Sequence, residues 1–296
     1  MTLPAPDARW AFARYEALRP RLPQAAFPRE SLHVPDLSAV FDRYDGFVLD
    51  AFGVLNVGAT AIPGAAAQVA RMRAAGKRVV VLTNGASFPR DRALAKYAAL
   101  GFDFAPEEVV ASRDLAATAL AVRPEGMLWA AITAEGAGFA DLPGRVEPLD
   151  EGLLARADGF LFLGSEGWTA ARQAALAAAL TARPRPVIVA NPDVVAPRED
   201  GFTLEPGHFA HDLPVTPEFH GKPYGGALEA ALARLGGLPR ERVAMVGDTL
   251  HTDVLGGRAA GLGTVLIARH GLFAGLDPAP FIAASGIVPD VVAETT

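Results

Sequence analysis

Four short stretches of the chain place carboxylates, a hydroxyl and an ammonium where apolar runs end. In the first, FVLDAFGVL, the carboxylate of Asp50 follows three apolar residues, and Gly53 allows the chain to turn sharply. A carboxylate in this place serves as a metal ligand, as a nucleophile or as both. It can also simply cap a turn, so the residue type alone leaves its role open.

The second stretch, VVVLTNGASFPRD, offers the hydroxyl of Thr83 and then the backbone N–H groups of Asn84 and Gly85. N–H groups at the start of a helix suit an anion, so the stretch predicts a phosphate cradle. A Thr-Asn-Gly turn is also common between elements without any ligand. The third stretch, HGKPYGG, puts Lys222 just before a helix that Pro223 would begin well, where an ammonium can neutralise a phosphoryl group.

The fourth stretch, RVAMVGDTLHTDVLGG, carries two carboxylates, Asp248 and Asp253. Together with Asp50 they would form an all-oxygen site, which suits Mg²⁺. The chain has no cysteine, so thiolate metal sites and disulfides are excluded. An alternative for Asp253 is that it only stabilises the positive end of its helix.

Short β-branched runs alternate with longer Ala/Leu/Arg-rich segments, which predicts an α/β protein with a Rossmann-like parallel sheet. The predicted strands are 47–50, 78–82, 159–163, 186–190, 242–246 and 264–267. The predicted helices are 63–75, 89–100, 112–122, 168–182, 223–235 and 252–260. Another polar pair, Asn191 and Asp193, also follows a strand. Ligands bind at the carboxyl edge of such sheets, so these scattered strand ends predict one shared site.

Composition limits the classes of function. A chain of 296 residues predicts about two domains with ample core. The formal charge of −6 argues against a nucleic-acid partner, which needs a basic face. No apolar run approaches the roughly 20 residues of a membrane span, and the N-terminus mixes Asp7 and Glu16 with arginines, unlike a secretory signal. We therefore expect a soluble cytoplasmic protein without a membrane partner.

Taken together, the motifs GVLNVG, LTNGAS, NPD, GKP and GDTLHTD resemble those of the haloacid dehalogenase superfamily of phosphatases. The large insert between the Thr-Asn and Lys motifs is similar to class IIA, the group of sugar phosphatases and p-nitrophenyl phosphatases. The resemblance extends from about residue 45 onward. It implies a core made of residues 1–88 and 192–296, with an inserted α/β cap at 89–191. The first 40 residues or so would form a helical extension packed on the core.

The resemblance also implies roles for single residues. Asp50 would attack phosphorus and form an aspartyl-phosphate. Mg²⁺ would be bound by Asp50, the backbone carbonyl of Phe52 and Asp248, with Asp253 ligating or orienting waters. In the same family Thr83 and the N–H groups of Asn84 and Gly85 would hold phosphoryl oxygens, Lys222 would balance charge, and Asn191 and Asp193 would face the substrate. The substrate would be a small phosphorylated metabolite, and the cap makes a homodimer a further expectation.

Phe52 departs from the family pattern, because these phosphatases usually have a second aspartate there that protonates the leaving group and later activates water. Losing a positioned general acid or base costs about 10²- to 10⁴-fold in rate. Hydrolysis would then be slow, or His251 or His220 would take over the role, or the protein would bind a phosphorylated ligand without turning it over. Glu166, in GSEGW, is a weaker candidate for contact with the leaving group.

Two functions therefore compete: a Mg²⁺-dependent phosphomonoester hydrolase, and a catalytically weak phospho-ligand-binding protein of the same fold. A receiver-type signalling domain also uses Asp, Thr and Lys on a parallel sheet. Such a domain has its acidic metal ligands early in the chain, whereas here they come last. A dinucleotide-binding oxidoreductase would need G-x-G-x-x-G after an early strand, and DAFGVLNVG lacks that spacing.

Overall fold

The computed structural model describes residues 3–296 and contains two separate sheets in which every pair of neighbouring strands is parallel. The strands are β1 (Leu32–Val34), β2 (Gly46–Leu49), β3 (Asn56–Val57), β4 (Thr60–Ala61), β5 (Arg78–Thr83), β6 (Val109–Ala111), β7 (Leu128–Ile132), β8 (Arg145–Pro148), β9 (Gly159–Phe162), β10 (Val187–Val189), β11 (Val195–Arg198), β12 (Gly201–Leu204), β13 (Glu218–Phe219), β14 (Val243–Gly247), β15 (Gly263–Ile267) and β16 (Val291–Ala293). The α-helices are α1 (Ala8–Leu18), α2 (Ala65–Ala74), α3 (Arg90–Ala99), α4 (Ser112–Ala121), α5 (Glu151–Arg156), α6 (Ala170–Ala182), α7 (Pro206–Ala210), α8 (Gly225–Arg234), α9 (Leu255–Ala259) and α10 (Ala279–Ser285). The predicted α/β class with a parallel sheet is confirmed.

The larger sheet has seven strands in the order β1-β16-β15-β14-β2-β5-β6. Its central strands are buried on both faces, so apart from Arg78 and Thr83 at the ends of β5 they do not alternate with polar residues. Because successive side chains of a strand point to opposite faces, Phe47 and Leu49 belong to one hydrophobic cluster and Val48 to another. The sheet therefore divides two cores, and helices cover both.

The register of this sheet sets the position of the candidate residues. Leu49 pairs with Val246 on one side and with Val81 on the other. The residues that follow these strands, Asp50 and Asp248, must therefore emerge side by side at the carboxyl edge, and Thr83 ends the neighbouring strand at the same edge.

The smaller sheet has five strands in the order β13-β10-β9-β7-β8. It also separates two clusters, with Phe160 and Phe162 on one face and Leu161 and Leu163 on the other. Two antiparallel hairpins, β3–β4 and β11–β12, lie outside both sheets.

The two sheets divide the chain differently from the predicted boundaries at 89 and 191. β6 lies within the predicted insert but pairs with β5 in the larger sheet, and β13 lies beyond it but pairs with β10 in the smaller sheet. The apolar run VVA at 109–111 is too short to reveal which sheet it joins. From these pairings we propose that the second unit extends from about α4 to β13.

Residues 8–18 form the helix α1. The side chain of Asp7 accepts a hydrogen bond from the backbone N–H of Trp10 at 2.7 Å and so caps α1. The apolar face of α1 packs on the cluster that contains Leu250 and Phe273, next to the larger sheet. The strand β1, which was not predicted, pairs with β16 at the edge of that sheet.

The six predicted helices all exist, and apart from the last their ends differ by at most two residues from the prediction. In the last, a π-helical turn, Leu250–Val254, precedes the short helix α9. No helix within residues 3–296 has the length and apolar character needed to cross a membrane.

Candidate functional site

Three carboxylates meet at the carboxyl edge of the larger sheet. One oxygen each from Asp50, Asp248 and Asp253 lies within 4.8 Å of the others. The ammonium of Lys222 reaches the same point from the segment before α8, with Nζ 2.6 Å from Asp50 Oδ1 and 2.8 Å from Asp253 Oδ1. Lys222 and Asp253 are fully buried, whereas the side chain of Asp50 is 13% exposed. Asp50 is therefore the member of this ion-paired group that a ligand can reach.

Glycines provide the space for these carboxylates. A Cβ at Gly247 would lie 2.0 Å from Cγ of Asp253, and a Cβ at Gly53 would lie 2.5 Å from Cγ of Asp248. Gly53 also has a φ of 75°, a conformation that residues with a Cβ adopt at a cost. The glycines beside the aspartates in the sequence are therefore part of the site.

Hydrogen bonds fix the two acids of the fourth motif. Asp248 Oδ2 accepts from the backbone N–H of Leu272 at 2.6 Å, and Asp248 Oδ1 accepts from the hydroxyl of Thr249 at 3.0 Å. Asp253 Oδ2 accepts from the backbone N–H of Thr249 at 3.1 Å. The Oδ1 atom of Asp253 has no hydrogen-bond donor within the described residues, although Lys222 Nζ is close.

Burial and crowding of like charges perturb the titration of the group. Burial raises the pKa of Asp50 to about 7, although Lys222 opposes the shift. Burial, together with Asp253 and Asp50, raises the pKa of Asp248. Burial disfavours the charged form of Lys222, but its three acidic neighbours, first Asp253, outweigh that effect and raise its pKa. Three carboxylates facing one ammonium leave negative charge to be balanced.

This donor set fits a hard divalent cation such as Mg²⁺. All the side-chain donors are carboxylate oxygens, which Mg²⁺ prefers, and one oxygen from each of the three aspartates lies within 4.8 Å of the others. The residues of the fourth motif and Asp50 are thus brought together as the sequence predicted.

The Thr-Asn-Gly turn lies beside the acids, but its contacts differ from a simple anion cradle. The N–H of Gly85 donates to the hydroxyl of Thr83 at 3.1 Å. The amide of Asn84 donates to Asp193 Oδ1 at 2.9 Å and to the carbonyl of Lys222 at 3.0 Å, and its Oδ1 accepts from the N–H of Lys222 at 2.8 Å. Asn84 therefore ties three distant segments together at the site.

The pair after β10 is also held within the protein. Asn191 donates from Nδ2 to Glu205 Oε2 at 3.0 Å and accepts from the N–H of Asp193 at 3.0 Å. Burial raises the pKa of Asp193 to about 7, against the effects of Lys222 and Asn84. Sequence reasoning missed Glu205, whose only signal was its place shortly after the Asn-Pro-Asp turn.

A single cleft of about 990 Å³ connects these groups. The predicted residues that line it are Asp50, Phe52, Thr83, Asn84, Gly85, Glu166, Asn191, Asp193 and Asp248. Lys222 and Asp253 lie beneath its floor.

Three cations that the sequence did not single out, Arg92, Lys96 and Arg198, also line the cleft. Burial and then the charge of Arg198 lower the pKa of Lys96 to about 8.

The histidines that were candidates to replace the missing acid lie elsewhere. His251 is buried beneath α1, with Nε2 2.5 Å from Glu16 Oε1 and its ring stacked on that of Tyr15 at 5.0 Å. Nε2 of His220 contacts Glu218 Oε1 at 2.8 Å. Neither histidine lines the cleft, so the hypothesis that one of them takes over from the absent aspartate is wrong.

Comparison with known proteins gives two family matches. Residues 47–139 match the model described as haloacid dehalogenase-like hydrolase, and residues 219–292 match a second model described as HAD-hydrolase-like. The acid sugar phosphatase of Staphylococcus aureus strain MRSA252 is 27% identical over 230 residues, which are 75% of this chain and 86% of that protein.

Solved structures agree with this similarity. A hydrolase of the haloacid dehalogenase-like family from Brucella suis is 27% identical, with a TM-score of 0.73 over 88% of this chain and 99% of that one. The p-nitrophenyl phosphatase of Archaeoglobus fulgidus is 25% identical, with a TM-score of 0.69 over 85% of this chain and 96% of that one.

Proposed function

Since the chain belongs to the haloacid dehalogenase superfamily of hydrolases, we propose that it is a Mg²⁺-dependent phosphatase of small phosphorylated metabolites. One observation carries the proposal: Asp50 stands at the floor of the cleft, partly exposed, with Lys222 and Asp248 directly beside it. A carboxylate held rigidly at the end of a buried strand can attack a phosphorus atom that the cleft delivers to it.

In the first step an oxygen of Asp50 bonds to phosphorus while the bond from phosphorus to the ester oxygen breaks. The product is an aspartyl-phosphate, and the released alcohol oxygen takes a proton from water. In the second step water attacks the same phosphorus, the bond to Asp50 breaks, and inorganic phosphate leaves. Positioning and charge neutralisation supply most of the catalysis in such transfers.

Asp50, the backbone carbonyl of Phe52 and Asp248 would hold the Mg²⁺, with Asp253 as a further ligand or as the group that orients its waters. When bound, a divalent cation neutralises phosphoryl charge and lowers the cost of bringing an anion to an acidic site.

Lys222 has two tasks in this proposal. It holds the carboxylates of Asp50 and Asp253 in place, and its charge balances the phosphoryl group once that group is on Asp50. Thr83 lies at the end of the neighbouring strand and lines the cleft, so its hydroxyl is placed to contact a phosphoryl oxygen.

Phe52 has no proton to donate, and its ring occupies the place where the resemblance implies an acid. We propose that hydrolysis of the aspartyl-phosphate is consequently slow, because no side chain there activates water. Esters with a good leaving group depend less on a general acid in the first step, so they should react faster than alkyl esters.

The five-stranded sheet and the β11–β12 hairpin supply Glu166 and Arg198 to the cleft, which supports a cap that selects the substrate. The similarity to an acid sugar phosphatase supports phosphorylated sugars or molecules of similar size as substrates. A cleft of about 990 Å³ has room for such a ligand.

The test measures release of p-nitrophenol from p-nitrophenyl phosphate with Mg²⁺ and with EDTA, in the native protein and in Asp50→Asn. We expect Mg²⁺-dependent turnover that Asp50→Asn abolishes. Background activity in both proteins, combined with binding of a phosphorylated metabolite at the same site, would instead favour the phospho-ligand-binding protein.

A further inference from the structure

Two cations face the ring of Phe52. Nζ of Lys96, on α3, lies 4.5 Å from the ring centroid, and Cζ of Arg198, at the end of β11, lies 4.8 Å from the same centroid. Both side chains line the cleft that contains Asp50. Cations favour the faces of aromatic rings, so Phe52 helps to hold two positive groups close together beside the nucleophile.

Lys96 forms no ion pair within residues 3–296, whereas Arg198 pairs with Glu205, and the charge of Glu199 acts on both cations. Among residues 3–296 no carboxylate lies within 4.0 Å of the ammonium of Lys96. Arg198 contacts Glu205 Oε1 at 3.1 Å, but Glu205 also accepts hydrogen bonds from Asn191 and Thr203. The charge of Glu205 is therefore shared with other donors.

A third cation strengthens the positive field. Arg92 precedes Lys96 by four residues on α3, so the two side chains project from the same face of the helix, and both line the cleft. The guanidinium of Arg92 stacks on the ring of Phe88 at 4.0 Å. The cleft thus has a cationic wall formed by Arg92, Lys96 and Arg198.

The residue at position 52 explains why the wall stays positive. An aspartate at this position would place a carboxylate between Lys96 and Arg198 and would neutralise much of their charge. A phenylalanine keeps both cations in place without adding a carboxylate between them, so their charge remains available to attract another anion. Since the position adjoins Asp50, that anion would belong to the alcohol portion of a bound phosphomonoester.

We propose that Lys96 and Arg198 form a subsite for a second anionic group, a carboxylate or a further phosphate, on the alcohol portion of the substrate. This inference rests on the proposed phosphatase function and narrows its substrates to phosphomonoesters with an anionic leaving alcohol. Two fixed cations also stabilise the negative oxygen that develops on the leaving alcohol.

The test compares two esters of similar size, phosphoglycolate with its carboxylate and hydroxyethyl phosphate without one. We expect the native protein to prefer phosphoglycolate in kcat/KM. In Lys96→Met and in Arg198→Met, the ratio of the two kcat/KM values should fall roughly tenfold. That factor corresponds to the lower end of what a hydrogen bond to a charged group contributes. Lys96→Arg should recover most of the ratio, and Lys77→Met, which removes a lysine paired with Asp45 outside the cleft, should leave it unchanged.

A purely structural role for the two cations would slow both esters by the same factor and leave the ratio as it is, which would overturn the inference. Calorimetric binding of phosphonoacetate and ethylphosphonate in the presence of Mg²⁺ provides a readout without turnover. Tighter binding of phosphonoacetate that Lys96→Met removes would support the subsite even if no ester is hydrolysed. Equal binding of both phosphonates would refute it even if the phosphatase activity is present.

Discussion

The strongest test of the acidic cluster is to remove its only ammonium with Lys222→Met, which keeps the length of the side chain. Lys222 is 1% exposed and contacts two carboxylates, of which Asp253 is fully buried. Removing one partner of a buried ion pair typically costs about 3 to 5 kcal/mol, because the remaining charge is left without compensation. We expect a loss of that size in the free energy of unfolding near pH 8 without Mg²⁺.

This loss in the free energy of unfolding should depend on pH, and the raised pKa of Asp50 sets the direction of the dependence. Its pKa is raised to about 7 in the folded protein, above the ordinary value of 3.8. The folded state therefore binds the proton more tightly, and the stability from this group is present at low pH and is lost as the pH rises through 7. Without Lys222 the pKa rises further, so the cost of the substitution should shrink by about 1 to 2 kcal/mol between pH 8 and pH 6.

Urea unfolding of the native protein and of Lys222→Met, at pH 8 and at pH 6, measures the cost of the substitution at each pH. The matched control is Lys77→Met, since Lys77 pairs with Asp45 at 3.3 Å near the surface. Exposed pairs contribute about 0 to 1 kcal/mol, so the control should lose little and should not depend on pH in this range. A cost below about 1 kcal/mol for Lys222→Met, or one that grows on acidification, would refute the reasoning.

Three further predictions concern other parts of the molecule. Gly271→Ala should weaken Mg²⁺ binding by at least tenfold in calorimetry, because its Cβ would lie 1.9 Å from Asp248 Oδ2 and displace that carboxylate. Tyr15→Phe should lower the free energy of unfolding by about 1 to 3 kcal/mol, because the hydroxyl accepts the buried N–H of Val194 at 3.0 Å. Burial and the charges of Arg21 and Arg14 lower the pKa of His211 to about 4, although Asp212 opposes the shift. The folded protein therefore binds this proton less tightly than the unfolded chain, and stability is lost as the pH falls from about 6.5 to 4. His211→Phe, which keeps the stacking on Phe219, should reduce that loss in pH-dependent urea unfolding.

Each of these has a control or a contrary outcome. Gly275 has a φ of 75°, close to the 72° of Gly271, but a Cβ there meets nothing within 4 Å, so Gly275→Ala shares the backbone strain without the clash. Tyr44→Phe, in a residue that is 3% exposed, removes a hydroxyl that makes no hydrogen bond within residues 3–296 and should cost less than Tyr15→Phe. The argument for Gly271 would be contradicted by equal Mg²⁺ affinity in Gly271→Ala and Gly275→Ala. The argument for Tyr15 would be contradicted by an equal loss of unfolding free energy in Tyr15→Phe and Tyr44→Phe. The argument for His211 would be contradicted if His211→Phe loses as much stability on acidification as the native protein.

The four adjacent strands β15, β14, β2 and β5 of the larger sheet and the acidic site were predictable because their signals are local. Strands such as 79–82 are continuous apolar runs, and Asp50 and Asp248 directly follow such runs at an edge that parallel pairing must share. The positions of Asp50 and Asp248 follow from the local sequence and from this property of parallel sheets alone.

Other features depend on contacts between distant segments and could not be predicted. The buried strand β7, LWAAI, resembles the alanine-rich helices in composition, and only its pairing with β8 and β9 defines it. The sequence also gives no sign that α1 covers His251 through Tyr15, which removed a catalytic candidate. Lys96 is one of several charges on a helix, and no local signal in the sequence places it over the ring of Phe52.

The central claim is that Asp50 becomes phosphorylated in a Mg²⁺-dependent reaction and that, with Phe52 in place, water attacks the product slowly. Rapid mixing with p-nitrophenyl phosphate tests it directly, because nitrophenol is released in the first step. We predict a burst that approaches one nitrophenol per protein, followed by a slow steady rate, with the phosphoryl group on the Asp50 peptide after acid quench. Turnover without a burst and without a phosphorylated Asp50, or a burst that persists in Asp50→Asn, would contradict the account.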